Sequence, residues 1–480
     1  MTSKTKLINY IHAKQRETPI LVKNHLKDID YSRLKFNEFK NHIDNFIVAN
    51  GEYYNRFFMM SGLRGVGKTT VLYQLYEYLT KEKNVSKSDI FYLDVHDLKT
   101  SYDVPINDIV DLYLEDIHGT TAVNLNKKIF LFVDEAQLDI GWANYAKLLF
   151  DKTFNIFMIF TGSSALNLEI NADASRRIMK EQMFPCNFSE YLIFNYGLNL
   201  TKNNFMDILL KRDESNIEKA IECESLIKKD LLELNNDPEI ILKKFLHYGA
   251  FPFSFKMTEV DIHRLTNDLI ERIVQEDLRY FASFNKVSNE SILRLISYLA
   301  TKKPGSTSNS ALAQSLNLNI RTVNNILDAL EKSQLIFSIN AYGSAGKILN
   351  KPKQHFFLTP CLKSAINYRV GRYDLNHEKC YVVLAENMVA STLKRFADES
   401  FNSLGIFYDA NKKGVDFIVK IFDDVVPIEV GVGKKTKSQL TRAKNRYSAD
   451  YGVLVSNRTS TIEFKDDILY IPLISFSLIG

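Results

Sequence analysis

The sequence predicts an α/β fold spread over several domains, and three observations carry that reading. From Phe57 to about Phe188, short apolar runs (FFMM, IFYLDV, KIFLFVDE, NIFMIFTG, QMFPCNF) alternate with amphipathic stretches, the rhythm of a parallel sheet flanked by helices. The 480 residues exceed what one hydrophobic core usually serves, at roughly 150 residues per domain. Hydrophobic residues make up 45% of the chain, with 24 Tyr and 32 Phe to fill cores, while only 19 Gly and 10 Pro argue against collagen, linker-rich arrays and turn-dense β architectures.

Residues 1–50 mix charged positions with spaced Leu, Ile and Phe and hold no glycine, which predicts an N-terminal helical segment. Residues 51–200 contain the alternating core. Residues 201–287 are polar and helical in pattern, with a charged stretch from Lys211 to Asp237 ahead of FLHYGAFPF, and read as a helical lid and connector. Within residues 288–375, Ile292, Leu295, Ile296 and Leu299 fall at helical spacing behind a serine cap. SNSALAQSLNLNIRTVNNILDALEKSQLIFSI then reads as helix, tight turn, helix and strand, and a Gly-rich break before KPKQHFFL reads as a wing, so this span is expected to be a winged-helix module. Residues 376–480 open with a helix around Glu386 and continue through GVDFIVKIF, VVPIEVGV, YGVLVS and ILYIPL, a second, smaller α/β unit.

Lys and Arg total 61 against 57 Asp and Glu, a balance of +4 that is too mild for a chain defined by nucleic acid, so any such binding must be local. Cys186, Cys223, Cys361 and Cys380 lie far apart with no C-x-x-C pair, and neither a disulfide framework nor a zinc module is readable. The start MTSKTKLINYIHAK lacks an apolar signal core, and no apolar run approaches the roughly 18 residues that span a bilayer. The expectation is a soluble, cytoplasmic protein with no membrane partner.

The chemistry concentrates between Gly62 and Arg177. Gly62-Leu63-Arg64-Gly65-Val66-Gly67-Lys68-Thr69 matches G-x-x-x-x-G-K-[ST] and sits between an apolar run and a helical pattern. Gly62, Gly65 and Gly67 let the backbone wrap a phosphate chain, so that the N–H groups from Arg64 and Val66 through Thr70 face the anion. Lys68 supplies a mobile cation for the β and γ phosphates of ATP, and the Thr69 hydroxyl completes a magnesium shell. The run KIFLFVDEA ends in Asp134, which would hold magnesium through its water, and Glu135, which would polarise the attacking water. NIFMIFTGSSA delivers Thr161, Ser163 and Ser164 to a strand's C-terminal edge, where one could hydrogen-bond the water or the γ-phosphate. Arg176 and Arg177 follow; either an arginine here stabilises transition-state charge in a neighbouring subunit of a homo-oligomer, or the pair is a solvated helix face.

Together GLRGVGKTT, FLFVDEAQ, IFTGSSALNL and MFPCNFSEYL resemble the phosphate loop, acidic pair, sensor strand and closing strand of a family of bacterial and archaeal AAA-type ATPases with a restriction-endonuclease-like C-terminal domain of unknown function. YGAFPFSF is similar to that family's G-G-F-P segment. IERIVQEDLRYF resembles its connector helix, with Asp277 at the usual acid, and KPKQHFFLTPCL resembles a P-K-x-x-F-F-x-D strand in which Thr359 or its neighbour replaces the acid. The resemblance implies a P-loop AAA-type core with ATP and Mg2+ as cofactors. It also makes Glu386, Asp416 and Glu429 the acids of a nuclease-like site, converging on magnesium to activate water. The lysine expected two positions after Glu429 is Gly431, with Lys434 and Lys435 near enough to replace it; the alternative is an inactive relic used for binding.

On the second helix of the winged-helix pattern, Val323, Ile326, Leu327 and Leu330 face one side and Arg321, Asn324 and Asn325 the other, where donors could meet DNA phosphates and base edges. Lys347, Lys351 and Lys353 make the wing basic, whereas Asp328 and Glu331 oppose DNA, and protein docking is the alternative use. The expected function is a magnesium-dependent ATPase whose turnover moves a C-terminal nucleic-acid- or partner-binding module. The other classes are a nucleotide-gated regulatory or defence switch with negligible turnover, and an ATP-regulated nuclease.

Overall fold

The computed structural model describes residues 3–49, 53–163, 173–210, 213–280, 288–305, 308–344, 346, 351–400, 404–432 and 437–479. Two compact units divide the chain, residues 1–184 and 185–480.

In the first unit, β1 (Phe57–Ser61), β2 (Ile90–Asp94), β3 (Ile129–Asp134), β4 (Ile156–Gly162) and β5 (Met179–Gln182) form a parallel sheet in the order β2-β3-β4-β1-β5. β1, β3 and β4 are buried along their whole length, which is why they read as continuous apolar runs rather than alternating ones. The register sets Asp94 beside Asp134, Val133 beside Phe160, and Ser61 beside Gly162, so the C-terminal ends of β1 to β4 reach one edge together. Flanking helices bury one stripe each: Ile106–His118 turns Ile109, Val110, Tyr113 and Leu114 inward and is closed by Gly119 at positive φ. The expected N-terminal helical segment is a pair of helices, Ser3–Leu26 and Leu34–Val48, and Leu7, Tyr10 and Ile11 join the core of the sheet.

The fifth strand departs from the sequence reading. Of the run QMFPCNF only Gln182 lies in β5. Gln182 pairs with Ser61, the last residue of β1, and Met183 N still donates to the Ser61 carbonyl at 2.7 Å; beyond that the partner strand has turned into the glycine loop and the ladder has nothing to continue on. MFPCNFSEYL is accordingly no strand. Its second half opens the helix Phe188–Tyr196 with a capping box, in which the Asn187 side chain accepts from Glu190 N at 2.8 Å and the Glu190 carboxylate accepts from Asn187 N at 3.1 Å.

The second unit begins with helices and ends with a sheet. Helices Glu214–Leu231, Pro238–Lys244 and Glu259–Gln275 precede three more, Asn289–Thr301, Asn309–Leu316 and Ile320–Lys332. Asn317, at φ 53°, turns the chain between the last two. Val323, Ile326, Leu327 and Leu330 are buried and Arg321 is exposed, as the helical period requires. Eight strands follow: β6 (Ile336–Ala341), β7 (Gln354–Phe357), β8 (Gly405–Tyr408), β9 (Phe417–Ile421), β10 (Asp424–Gly431), β11 (Gly452–Ser456), β12 (Glu463–Lys465) and β13 (Ile468–Pro472). They form one sheet in the order β12-β13-β11-β10-β9-β8-β6-β7. β6 pairs antiparallel with β7 and parallel with β8, so strands from the expected 288–375 and 376–480 spans share a single sheet. No helix among the described residues is long and apolar enough to cross a membrane, and all four cysteines are free thiols.

Candidate nucleotide site

The loop between β1 and the helix Lys68–Lys81 adopts a conformation its glycines permit. Gly65 and Gly67 have φ of 76° and 99°, a region that costs residues with a Cβ. Gly67 is the residue before the helix, whose free N–H groups therefore open toward the loop. Gly62 is needed for a different reason: a Cβ there would collide with the Met183 carbonyl oxygen and approach the Met183 carbonyl carbon to 3.3 Å. Lys68 is buried, and its ammonium donates to the carbonyls of Gly62 at 2.9 Å and Leu63 at 3.0 Å, which places the cation within the curve of the loop.

Asp134 ties the site together from the end of β3. Its Oδ2 accepts from the Thr69 hydroxyl at 2.6 Å and from the Tyr92 hydroxyl at 3.1 Å. Its Oδ1 accepts from the Thr161 hydroxyl and from Glu135 N at 3.2 Å. Asp134 and Thr161 are buried, so this carboxylate is satisfied by side chains from β2, β4 and the loop helix rather than by bulk water. Burial, reinforced by the Asp134 charge, pushes the Tyr92 hydroxyl well above its ordinary pKa and keeps it a donor. Asp94, level with Asp134 in the neighbouring strand, is also raised, first by burial, with Asp134 adding to the shift.

Glu135 takes φ 56° and ψ 40°, a left-handed conformation rare for a residue other than glycine. Its carboxylate, part-buried, accepts from Gln137 Nε2 at 2.6 Å, and Gln137 is itself 4% exposed. Ser163 is buried with no hydrogen-bond partner for its hydroxyl among the described residues. Ser164 lies outside the described residues. Arg177 donates to Asp151 at 2.7 Å and to the Asp173 carbonyl at 3.0 Å, while Arg176 is exposed.

Several residues of the site have no signature in the sequence. Arg33, 5% exposed, donates to the Val66 carbonyl inside the loop and to the Phe184 carbonyl at 2.8 Å. His25 Nε2 lies 2.9 Å from the Thr70 hydroxyl. Tyr92 completes the set, and Gln137 joins it from within a motif the sequence does show, as the last residue of FLFVDEAQ.

The acids expected of a nuclease-like site have other engagements. Glu386 is buried and pairs with Lys303 at 3.7 Å. Asp416 accepts from Val430 N at 2.9 Å, and Glu429 accepts from Gln439 Nε2 at 3.4 Å. Among the described residues no group of three or more His, Cys, Asp or Glu is placed to hold a metal ion. A Cβ at Gly431 would meet Ser456 Oγ at 3.4 Å, an ordinary contact, so packing does not forbid a Cβ there. Lys434 and Lys435 lie outside the described residues, as does Lys347 of the wing. On the helix Ile320–Lys332, Asn324 accepts from Asn309 at 2.8 Å and Asp328 pairs with Lys332 at 2.7 Å.

Residues 54–192 match an AAA domain family, and residues 240–367 match a domain of unknown function, DUF8612. The chain is similar to the uncharacterized protein MJ1637 of Methanocaldococcus jannaschii, with 30% identity over 476 residues that cover 99% of this chain and 94% of that protein. It is also similar to the uncharacterized protein MJ1544 of the same organism, with 23% identity covering 76% and 72% of the two chains. Among solved structures, it is similar to the Aeropyrum pernix ORC1 protein in complex with DNA (10% identity, 70% and 92% covered, TM-score 0.31) and to AMPPCP-bound DnaA from Aquifex aeolicus (15% identity, 64% and 90% covered, TM-score 0.26). The chain belongs to the family of the Methanocaldococcus jannaschii protein MJ1637 and carries an AAA domain over residues 54–192.

Proposed function

We propose that this protein is a magnesium-dependent ATPase of the AAA type, whose turnover works a C-terminal module that binds nucleic acid or a partner protein. One observation carries the reading: a single buried carboxylate, Asp134, gathers the Thr69 and Thr161 hydroxyls at the mouth of the phosphate loop. Thr69 and Asp134 offer hard oxygen donors 2.6 Å apart, a set that fits magnesium, with the remaining positions left to water and phosphate. Bound magnesium would neutralise charge on the β and γ phosphates.

The chain's own groups divide the remaining work. The N–H groups of Arg64 to Thr70 bind phosphate oxygens, and Lys68 exchanges its two carbonyl partners for the stronger anionic acceptors. Glu135 orients and polarises the attacking water once its carboxylate is released from Gln137. Thr161 or Ser163 stands at the strand edge to contact the water or the γ-phosphate. Arg176 is free of the ion pair that engages Arg177, and is the better candidate to act across a boundary in a homo-oligomer.

For the module, a helix pair joined at Asn317 and followed by the antiparallel β6–β7 pair supports the winged-helix reading, and Arg321, Lys351 and Lys353 are exposed donors for DNA phosphates. The four free cysteines fit a reducing, cytoplasmic setting. A regulatory switch with negligible turnover is the second reading, and the bond that ties Glu135 to Gln137 favours it. Steady-state hydrolysis measured alone and with duplex or single-stranded DNA separates the two. Turnover raised by DNA supports the coupled ATPase, and ATP binding without turnover under every condition supports the switch.

A further inference from the structure

A cavity lined by several basic residues lies wholly within the unit of residues 185–480 and shares no residue with the phosphate loop. The cavity, of about 190 Å³, is lined by Lys302, Lys303, Lys363, Arg372, Lys379 and His247, among others. That volume is below the ~300–1,000 Å³ of pockets for drug-sized ligands, and because Ala300, Val383 and Leu384 make much of the wall apolar, it suits a phosphate group with a small, largely apolar attachment.

The charge balance of this cavity is incomplete. Lys303 pairs with Glu386 at 3.7 Å, but Lys302, Lys363, Arg372 and Lys379 make no ion pair among the described residues. Lys363 is the telling one. It is 4% exposed, and among the described residues its ammonium donates to the carbonyls of Leu299 at 3.2 Å and Lys302 at 3.0 Å and lies over the Phe357 ring. Burial pulls this lysine down to about 8, against an opposing influence from Glu386. A buried cation without a bound anion costs several kcal/mol unless something compensates it.

His247 adds a directional donor. It is 2% exposed, its Nδ1 lies 2.8 Å from the Ser364 hydroxyl, and its Nε2 has no partner among the described residues. Burial, and then the neighbouring His263, lower its pKa to about 4 despite Asp374, so the ring is neutral near pH 7. When Ser364 donates to Nδ1, the hydrogen sits on Nε2 and can be given to an anion.

The geometry points to a phosphate-ester binding site between the helices Asn289–Thr301, Pro360–Arg369 and Glu378–Glu399, with Lys363 and His247 at its base and Lys302, Arg372 and Lys379 at its rim. The ligand chemistry is a terminal phosphate, carried either by a small phosphorylated molecule or by the 5′ end of a nucleic-acid strand.

The test is equilibrium dialysis of labelled pyrophosphate against the full chain, the Lys302→Ala/Arg372→Ala/Lys379→Ala variant, and Lys68→Ala. The three rim residues are exposed, so the fold is expected to survive their replacement. The rim variant should lose at least tenfold in affinity at one class of site while keeping the sites that Lys68→Ala removes. Equal pyrophosphate binding by parent and rim variant would overturn the proposal. If Lys68→Ala changes nothing, the phosphate-loop reading fails while the rim result still decides this one. Displacement by a 5′-phosphorylated oligonucleotide at least tenfold better than by its 5′-hydroxyl counterpart would assign the strand end; equal displacement by the two, with pyrophosphate still bound at the rim, would assign the small phosphate ester.

Discussion

Replacing Asp134 by asparagine and by alanine separates its part in the fold from its part in the chemistry. Oδ2 faces two hydroxyls, Thr69 and Tyr92, and Oδ1 faces the Thr161 hydroxyl and the backbone N–H of Glu135. An N–H cannot reverse its role, so an asparagine keeps its oxygen toward Glu135 N and turns its amide toward Thr69 and Tyr92, whose hydroxyls rotate to accept. The contacts survive with neutral partners, at a cost of about 1–2 kcal/mol, since hydrogen bonds to charged groups contribute about 1.5–3 kcal/mol and neutral ones about 0.5–1.5 kcal/mol. Alanine instead leaves the Thr161 hydroxyl, 0% exposed by residue, with no acceptor among the described residues, and takes from the Tyr92 hydroxyl its charged acceptor, leaving it Tyr73. At about 1–3 kcal/mol for the stranded Thr161 and about 1.5–3 kcal/mol for the charged bond lost at Tyr92, the loss is about 2.5–6 kcal/mol.

For a unit of this size roughly 2–4 °C accompanies each kcal/mol, so scanning calorimetry of the nucleotide-free chain should show Asp134→Ala lowering the first unit's Tm by at least ~5 °C and Asp134→Asn by about half that or less. Adding a non-hydrolysable ATP analogue with magnesium at about 100 times Kd should stabilise the parent by about 2.7 kcal/mol and neither variant appreciably. Equal destabilisation by the two substitutions, or a full magnesium-dependent shift in either, would refute the role given to this carboxylate.

The other expectations concern the groups around it. Glu135→Gln should bind magnesium nucleotide like the parent in a filter assay yet release phosphate at least ~10²-fold more slowly, and parental turnover would move the base elsewhere. Gly62→Ala should destabilise the first unit by about 1–3 kcal/mol and weaken nucleotide binding, because the new Cβ strikes the Met183 carbonyl; an unchanged Tm contradicts this. If Arg176 acts in trans, specific activity should rise with protein concentration and Arg176→Ala should inhibit the parent on mixing, whereas a concentration-independent rate with no inhibition assigns it to the surface.

What was legible in the sequence is what is contiguous in it. The phosphate loop is one short segment whose glycines, lysine and threonine must stand at fixed spacing, and Asp134, Glu135 and Thr161 end apolar strands that the parallel sheet aligns. Arg33 was invisible because its acceptors lie 33 and 151 residues away, and nothing local distinguishes it from a surface arginine. The fifth strand is shorter than its apolar run because composition stays apolar through Phe188 while its partner β1 ends at Ser61, opposite Gln182. Lys363 reads as an ordinary charge within a helix; only the fold carries it to the carbonyls of Leu299 and Lys302, 64 and 61 residues away. The eight-stranded sheet joins segments the sequence separates, since the parallel β6–β8 pairing depends on a long connection that leaves no local pattern.

The most direct measurement of ATP hydrolysis at the phosphate loop is the rate of phosphate release by purified parent and Lys68→Ala protein, with magnesium and with chelator. Release that requires magnesium and disappears in Lys68→Ala is the predicted result. Release by Lys68→Ala at the parental rate, or by the parent in chelator, would contradict it.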